Sequence, residues 1–109
     1  MANARIVLTT VGIMEKAEEL AGALIERRLA ACVNIVGPIR SIYRWKGGIE
    51  REQEYLLLIK TTAEKAADLA AAFAELHPYK LPERVELNIE GGSNEYLEWL
   101  SAQVDRDAN

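Results

Sequence analysis

One histidine, His77, and one cysteine, Cys32, stand among the 109 residues. They are the side chains best suited to hold a transition metal or to act on an electrophile. A strong transition-metal site takes three or four thiolate, imidazole or carboxylate ligands in fixed geometry. This chain offers one imidazole and one thiol, far apart in sequence. The pair therefore supports at most a weak metal site, with no obligatory cofactor. A Cys-His nucleophile would need the two groups within hydrogen-bond reach, and nothing in the spacing demands it. Each residue also has a simpler reading. His77 caps a helix or packs under Tyr79, and Cys32, between Ala31 and Val33, is a small apolar strand residue.

Lys60 ends an apolar run just before a second helical pattern, where free amides and the helix dipole favour an anion. Together with His77, Tyr79 and Lys80 it would form a cleft for a small carboxylate or phosphate. The simpler alternative is an ion pair with Glu50, Glu83 or Glu95. Lys46-Gly47-Gly48 and Gly91-Gly92-Ser93 are turns without the spacing of a phosphate loop. No catalytic constellation emerges, so the expectation is a protein that is not an enzyme.

The elements that position these residues centre on residues 39–60. Ile39, Ser41, Tyr43 and Trp45 alternate with Arg40, Ile42, Arg44 and Lys46, the period of a strand. Lys46-Gly47-Gly48-Ile49 supplies a tight turn. The return leg ends in Tyr55-Leu56-Leu57-Leu58-Ile59, apolar on both faces and so expected to be covered on both sides. Tyr43, Trp45 and Tyr55 on a long two-stranded arm are best explained by a neighbouring subunit that covers them.

The rest of the chain follows the same rules. Ile6, Val7 and Leu8 mark a first strand, and Ala17, Leu20, Ala21, Leu24 and Ile25 an amphipathic helix. Glu15 suits its first turn, and Arg27 and Arg28 its last. Residues 31–36 form a second strand, bent at Gly37-Pro38 rather than ended. Thr61-Thr62-Ala63-Glu64 has the form of a capping box before the stripe Ala66, Leu69, Ala70 and Phe73. Val85, Leu87 and Ile89 form a last, half-buried strand. Ser93 or Asn94 caps a short helix carrying Tyr96, Leu97, Trp99 and Leu100, and residues 105–109 fray. Strand, helix, strand, strand, helix, strand and short helix is the split βαβ order of the ferredoxin-like α+β fold. It occupies residues 1–109 as a single domain.

Composition narrows the function classes. A net charge of −4 argues against a nucleic-acid binder, which gains affinity by pairing cations with phosphates. No stretch near twenty apolar residues suggests a membrane span, and the lone cysteine fits a reducing compartment. A cytoplasmic location is expected.

Several strings then agree with one family. Ala30-Ala31-Cys32-Val33-Asn34-Ile35, Ser41-Ile42-Tyr43-Arg44-Trp45-Lys46-Gly47, Ile59-Lys60-Thr61, His77-Pro78-Tyr79 and Pro82-Glu83 occur in order along nearly the whole chain. In these the chain resembles the CutA divalent-ion tolerance family. The resemblance implies a ferredoxin-like protomer, a cyclic homotrimer through hairpin and edge strands, and a role in tolerance of copper and other divalent ions. It supplies no settled reaction. A PII-like trimeric sensor using intersubunit clefts is the alternative. Some members of the family are proposed to hold metal with a first-strand cysteine and a histidine pair. Thr9 and Leu76 stand at those places here, and Lys80 stands where an acidic or neutral polar residue is common.

Overall fold

Alternation and three-four spacing give the expected elements in the computed structural model, which describes residues 3–105. Of the end expected to fray, 106–109 lie outside the described residues. Strand β1 (Ala4–Val11) leads to helix α1 (Met14–Glu26), then to strands β2 (Cys32–Trp45) and β3 (Gly48–Thr62). A 3-10 turn (Ala63–Lys65) opens helix α2 (Ala66–Leu76), followed by β4 (Val85–Asn88) and α3 (Asn94–Val104). The four strands are ordered β2-β3-β1-β4, and each pairs antiparallel with its neighbours. This is the ferredoxin-like arrangement expected from the element order.

Both long helices cover one face of the sheet. Val7 and Val11 of β1 and Leu57 and Ile59 of β3 point into a core with Leu20 and Leu24 of α1 and Leu69 and Phe73 of α2. The in-between positions face the other way: Ile6 is opposite Leu87 and Lys60, and Leu8 is opposite Val85 and Leu58. Helix α3 covers one end of this second face, where Thr62 lies beside Ser101 and Val104. Val85 and Leu87, expected to be half buried, are instead 46% and 47% exposed. Their alternation directs them away from α1 and α2, to the face they share with Ile6 and Leu8.

Strand β3 outruns β1. The β1–β3 ladder stops at Val11–Tyr55, while β2 and β3 continue through seven further pairs, from Ile39–Glu54 to Trp45–Gly48. Those pairs form a free two-stranded arm. Lys46 and Gly47 close it, both with positive φ (47° and 82°), the geometry of a type I′ hairpin turn. The arm has unlike faces. Ile39, Ser41, Tyr43 and Trp45 share one with Glu54, Glu52 and Glu50, whereas Arg40, Ile42 and Arg44 share the other with Gln53, Arg51 and Ile49. At the arm's root the register shifts between Val36 and Ile39, across a cis Gly37–Pro38 bond, and β2 bends without ending.

Two local expectations are corrected. Thr61 does not cap α2: it is the penultimate residue of β3, and its hydroxyl donates to the Leu29 carbonyl at 2.8 Å. Buried between β3 and the end of α1, it bridges core elements, and Thr62 makes no side-chain cap either. Arg27 and Arg28 lie just past α1, and Arg27 clasps Glu75 of α2 with bonds of 3.0 and 2.9 Å. Ser93 does cap α3, accepting from the Tyr96 amide at 3.3 Å.

Gly37 is the glycine the arm depends on. Its φ is +155°, and an added Cβ would lie 2.7 Å from Tyr55 Cδ1 and 3.1 Å from the Glu54 carbonyl. Gly37→Ala is therefore expected to cost about 1–3 kcal/mol. Urea denaturation should show a lower midpoint than the wild type, and an unchanged midpoint would remove Gly37 from this role.

Candidate functional site

Residues 77–83 run from the end of α2 toward the arm and enclose a cleft of about 850 Å³ against it. Tyr43, Trp45 and Glu54 line the arm side; Tyr79, Lys80 and Glu83 line the loop side. Proline at 78 and 82 prevents the helix from continuing and stiffens the loop. Three contacts hold it. His77, the C-cap of α2, is 8% exposed, and its Nε2 lies 2.9 Å from Thr9 Oγ1. The Tyr79 amide donates to His77 Nδ1 at 3.1 Å, and the Tyr79 hydroxyl donates to Glu54 Oε2 at 2.6 Å. Gly12 leaves room for that hydroxyl, since a Cβ there would come within 3.0 Å of it.

The His77 ring lies between Phe73 and Tyr79, at centroid distances of 5.4 and 5.2 Å. Because Nδ1 accepts a hydrogen bond, the neutral ring carries its proton on Nε2 and donates to Thr9. Burial pushes the imidazole below its ordinary pKa, opposed by the Thr10 backbone and the negative charge of Glu54. The Tyr79 phenol is pushed well above its ordinary value, first by burial, then by its bond to Glu54 and that residue's charge. The loop is thus anchored by a neutral imidazole and a phenol that stays protonated.

Not every residue singled out from sequence meets this cleft. Tyr79 and Lys80 line it, as do Tyr43 and Trp45, which are 41% and 46% exposed. Lys60 does not: it lies on the sheet face opposite the core, with its ammonium 5.7 Å from the Tyr96 ring. Cys32 is paired with Lys60 on that same face, and its thiol makes a weak 3.7 Å contact with Asn34 Oδ1. Within one protomer, Cys32 and His77 are therefore on opposite sides of the sheet. Tyr55 packs against the protomer's own core. Among the described residues no group of three or more His, Cys, Asp and Glu is placed to hold a metal ion.

Two participants were missed in the sequence. Glu54 reads there as part of a polar approach to the apolar run, yet it is only 6% exposed. The hairpin register sets Glu54 across from Ile39, but its burial comes with the Tyr79 hydroxyl, which local pattern does not place. In the sequence Thr9 stands out only as a departure from the family pattern, not as a partner of His77. Here its hydroxyl occupies the imidazole.

Comparison with known proteins matches residues 5–103 to the family described as CutA1 divalent ion tolerance protein. The chain belongs to this family. It is 52% identical over 95 residues to the divalent-cation tolerance protein CutA of Thermus thermophilus, covering 87% of this chain and 92% of that one. The solved structure of a Thermus thermophilus divalent cation tolerance protein superposes with a TM-score of 0.89 at 49% identity, over 92% of this chain and 97% of that one. A structure from Archaeoglobus fulgidus, described as a periplasmic divalent cation tolerance protein CutA, gives 0.90 at 36% identity over 94% and 99%. The chain spans about half the length of CutA relatives from Xenopus laevis, Mus musculus and Homo sapiens. The expected CutA fold and membership are borne out.

His77 links this anchor to pH. The unfolded chain takes up a proton as pH falls through about 6.5, before the buried imidazole does. Stability from the neutral ring is present above that value and is lost as pH falls toward the depressed folded one. The limiting slope is about 1.4 kcal/mol per pH unit. Urea midpoints measured from pH 7.5 to 5 should fall less steeply for His77→Asn than for the wild type. Parallel profiles would show that His77 does not control this dependence.

Proposed function

We propose that this chain is a homotrimeric, cytoplasmic divalent-cation tolerance protein that binds copper(II) and related ions weakly and is not an enzyme. Membership of the CutA1 family carries the cation reading. The trimer reading is supported by the arm, whose Ile42, Tyr43, Trp45 and Ile49 are each exposed by 41% or more. It is also supported by the apolar second sheet face, where Val36, Val85 and Leu87 are open to solvent. A specific contact covering them would bury more than about 1,200 Å². No nucleic acid or membrane enters this reading. No helix among the described residues is long and apolar enough to cross a membrane.

Weak metal binding follows from the donor set. Copper(II) prefers imidazole to oxygen ligands, which makes His77 the first donor to consider, but both its ring nitrogens already have hydrogen-bond partners. A metal ion would have to displace the Tyr79 amide or the Thr9 hydroxyl. Cys32, half buried and remote from His77, is the second possible donor. Binding in the micromolar range or looser, roughly −8 kcal/mol at best, is expected. It should weaken as pH falls, because imidazole binds metal only when neutral.

Light scattering coupled to size-exclusion chromatography should give a trimer at micromolar concentration, and a monomer would refute the assembly. Trp45→Ala should cost about 2 kcal/mol or more of association and make melting concentration-dependent. A trimer that persists on dilution with an unchanged melting point would remove Trp45 as an anchor. In copper(II) titrations free of reductant, His77→Ala should lose binding and Cys32→Ser keep it. The reverse would move the site to the thiol.

A further inference from the structure

We propose that neighbouring copies of this chain meet arm to arm, the basic face of one arm lying on the acidic face of the next. Arg44 and Arg51 of one copy then supply the counter-charges of Glu50 and Glu52 of its neighbour. The inference rests on the trimer reading and adds what that reading leaves open, namely which surfaces meet.

Strand alternation creates the two faces. Glu50-Arg51-Glu52 places opposite charges side by side in sequence. Successive side chains of a strand point to opposite faces, so these neighbours do not pair across the backbone. The hairpin register then sorts them. Glu50 lies across from Tyr43 and Glu52 from Ser41 on one face; Arg44 lies across from Ile49 and Arg51 from Ile42 on the other. Among the described residues none of these four charges forms an ion pair within the protomer. Glu52, Arg44 and Arg51 are exposed, and Glu50 is half-buried. The Tyr43 phenol registers the field of the acidic face: burial raises its pKa first, and Glu52, Glu54 and Glu50 raise it further.

Each face also carries apolar surface. Ile42 and Ile49 are 60% and 55% exposed on the basic face, and Tyr43 and Trp45 stand out from the acidic one. A two-stranded ribbon without cover is marginal in water. Contact between unlike faces of two copies covers both apolar sets and sets cations against anions. Contact between like faces would bury similar apolar surface at the cost of repulsion. An unrelated acidic partner would satisfy the basic face alone and leave Glu50, Glu52, Tyr43 and Trp45 uncovered, whereas a second copy satisfies both.

The test is charge reversal, read by light scattering coupled to size-exclusion chromatography over a dilution series. Arg44→Glu with Arg51→Glu makes both faces acidic, and Glu50→Arg with Glu52→Arg makes both basic. Each pair should weaken assembly by about a hundredfold or more, while circular dichroism shows a folded chain. All four substitutions together exchange the faces, return the net charge to its original value and should restore the trimer. Adding Glu18→Arg and Glu26→Arg on α1 to the arginine reversal also returns the net charge, but should not rescue assembly. Wild-type assembly should weaken as potassium chloride is raised, because salt screens exposed charge pairs. Trimers indifferent to salt or to either reversal, or a fourfold variant no better than its parents, overturn the proposal and leave the trimer reading intact. A monomeric wild type overturns both. Loss of assembly on arginine reversal alone would seat the basic face on another surface of the neighbour, and rescue from α1 would reduce the effect to net charge; either result counts against the proposal.

Discussion

The structure depends on a mismatch of strand lengths. Strand β3 has 15 residues and its central partner β1 has 8. Where the two run together, β3 is an interior strand with Leu57 and Ile59 in the core. Beyond Tyr55 only β2 accompanies it, and the same strand becomes one leg of an arm. Glu54 sits at the changeover. It is the first β3 residue past the β1 ladder, yet it is buried because Tyr79 closes over it. The cleft is thus made by the end of one ladder and the continuation of another.

Among the described residues, the side-chain bonds that hold the loop closing over this point pass through two residues, His77 and Tyr79. His77 binds Thr9 of β1 with one ring nitrogen and its own loop with the other. Tyr79 binds the arm. Core, loop and arm are therefore connected in series by side chains rather than by a backbone ladder. Residues 77–83 thus hold their shape without regular secondary structure.

Much of this was legible in the sequence, where pattern is local. The order of elements, the bend at Gly37, the Lys46-Gly47 turn and the Ser93 cap follow from periodicity and turn chemistry. His77 as a helix cap packed against Tyr79 was equally readable. What failed depended on distance through space. Thr61 has the right residue type and spacing for a cap, but a carbonyl at Leu29 claims its hydroxyl. Lys60 lies one residue before Thr61, yet it stands six residues along β3 from Glu54, and its ammonium turns to the Tyr96 ring of α3 instead of the cleft it was expected to share. Glu54 could not be distinguished from its exposed neighbours Glu52 and Gln53 without the fold of a loop more than twenty residues away.

The unlike faces of the arm bear on symmetry. One displays three glutamates with Tyr43 and Trp45; the other displays Arg40, Arg44 and Arg51 with two isoleucines. A two-fold axis between arms would set like against like, carboxylate on carboxylate or guanidinium on guanidinium. Rotation in one sense sets each acidic face on the next basic one. Contacts of that head-to-tail kind have no mutual partner, so they must either close into a ring or continue without end.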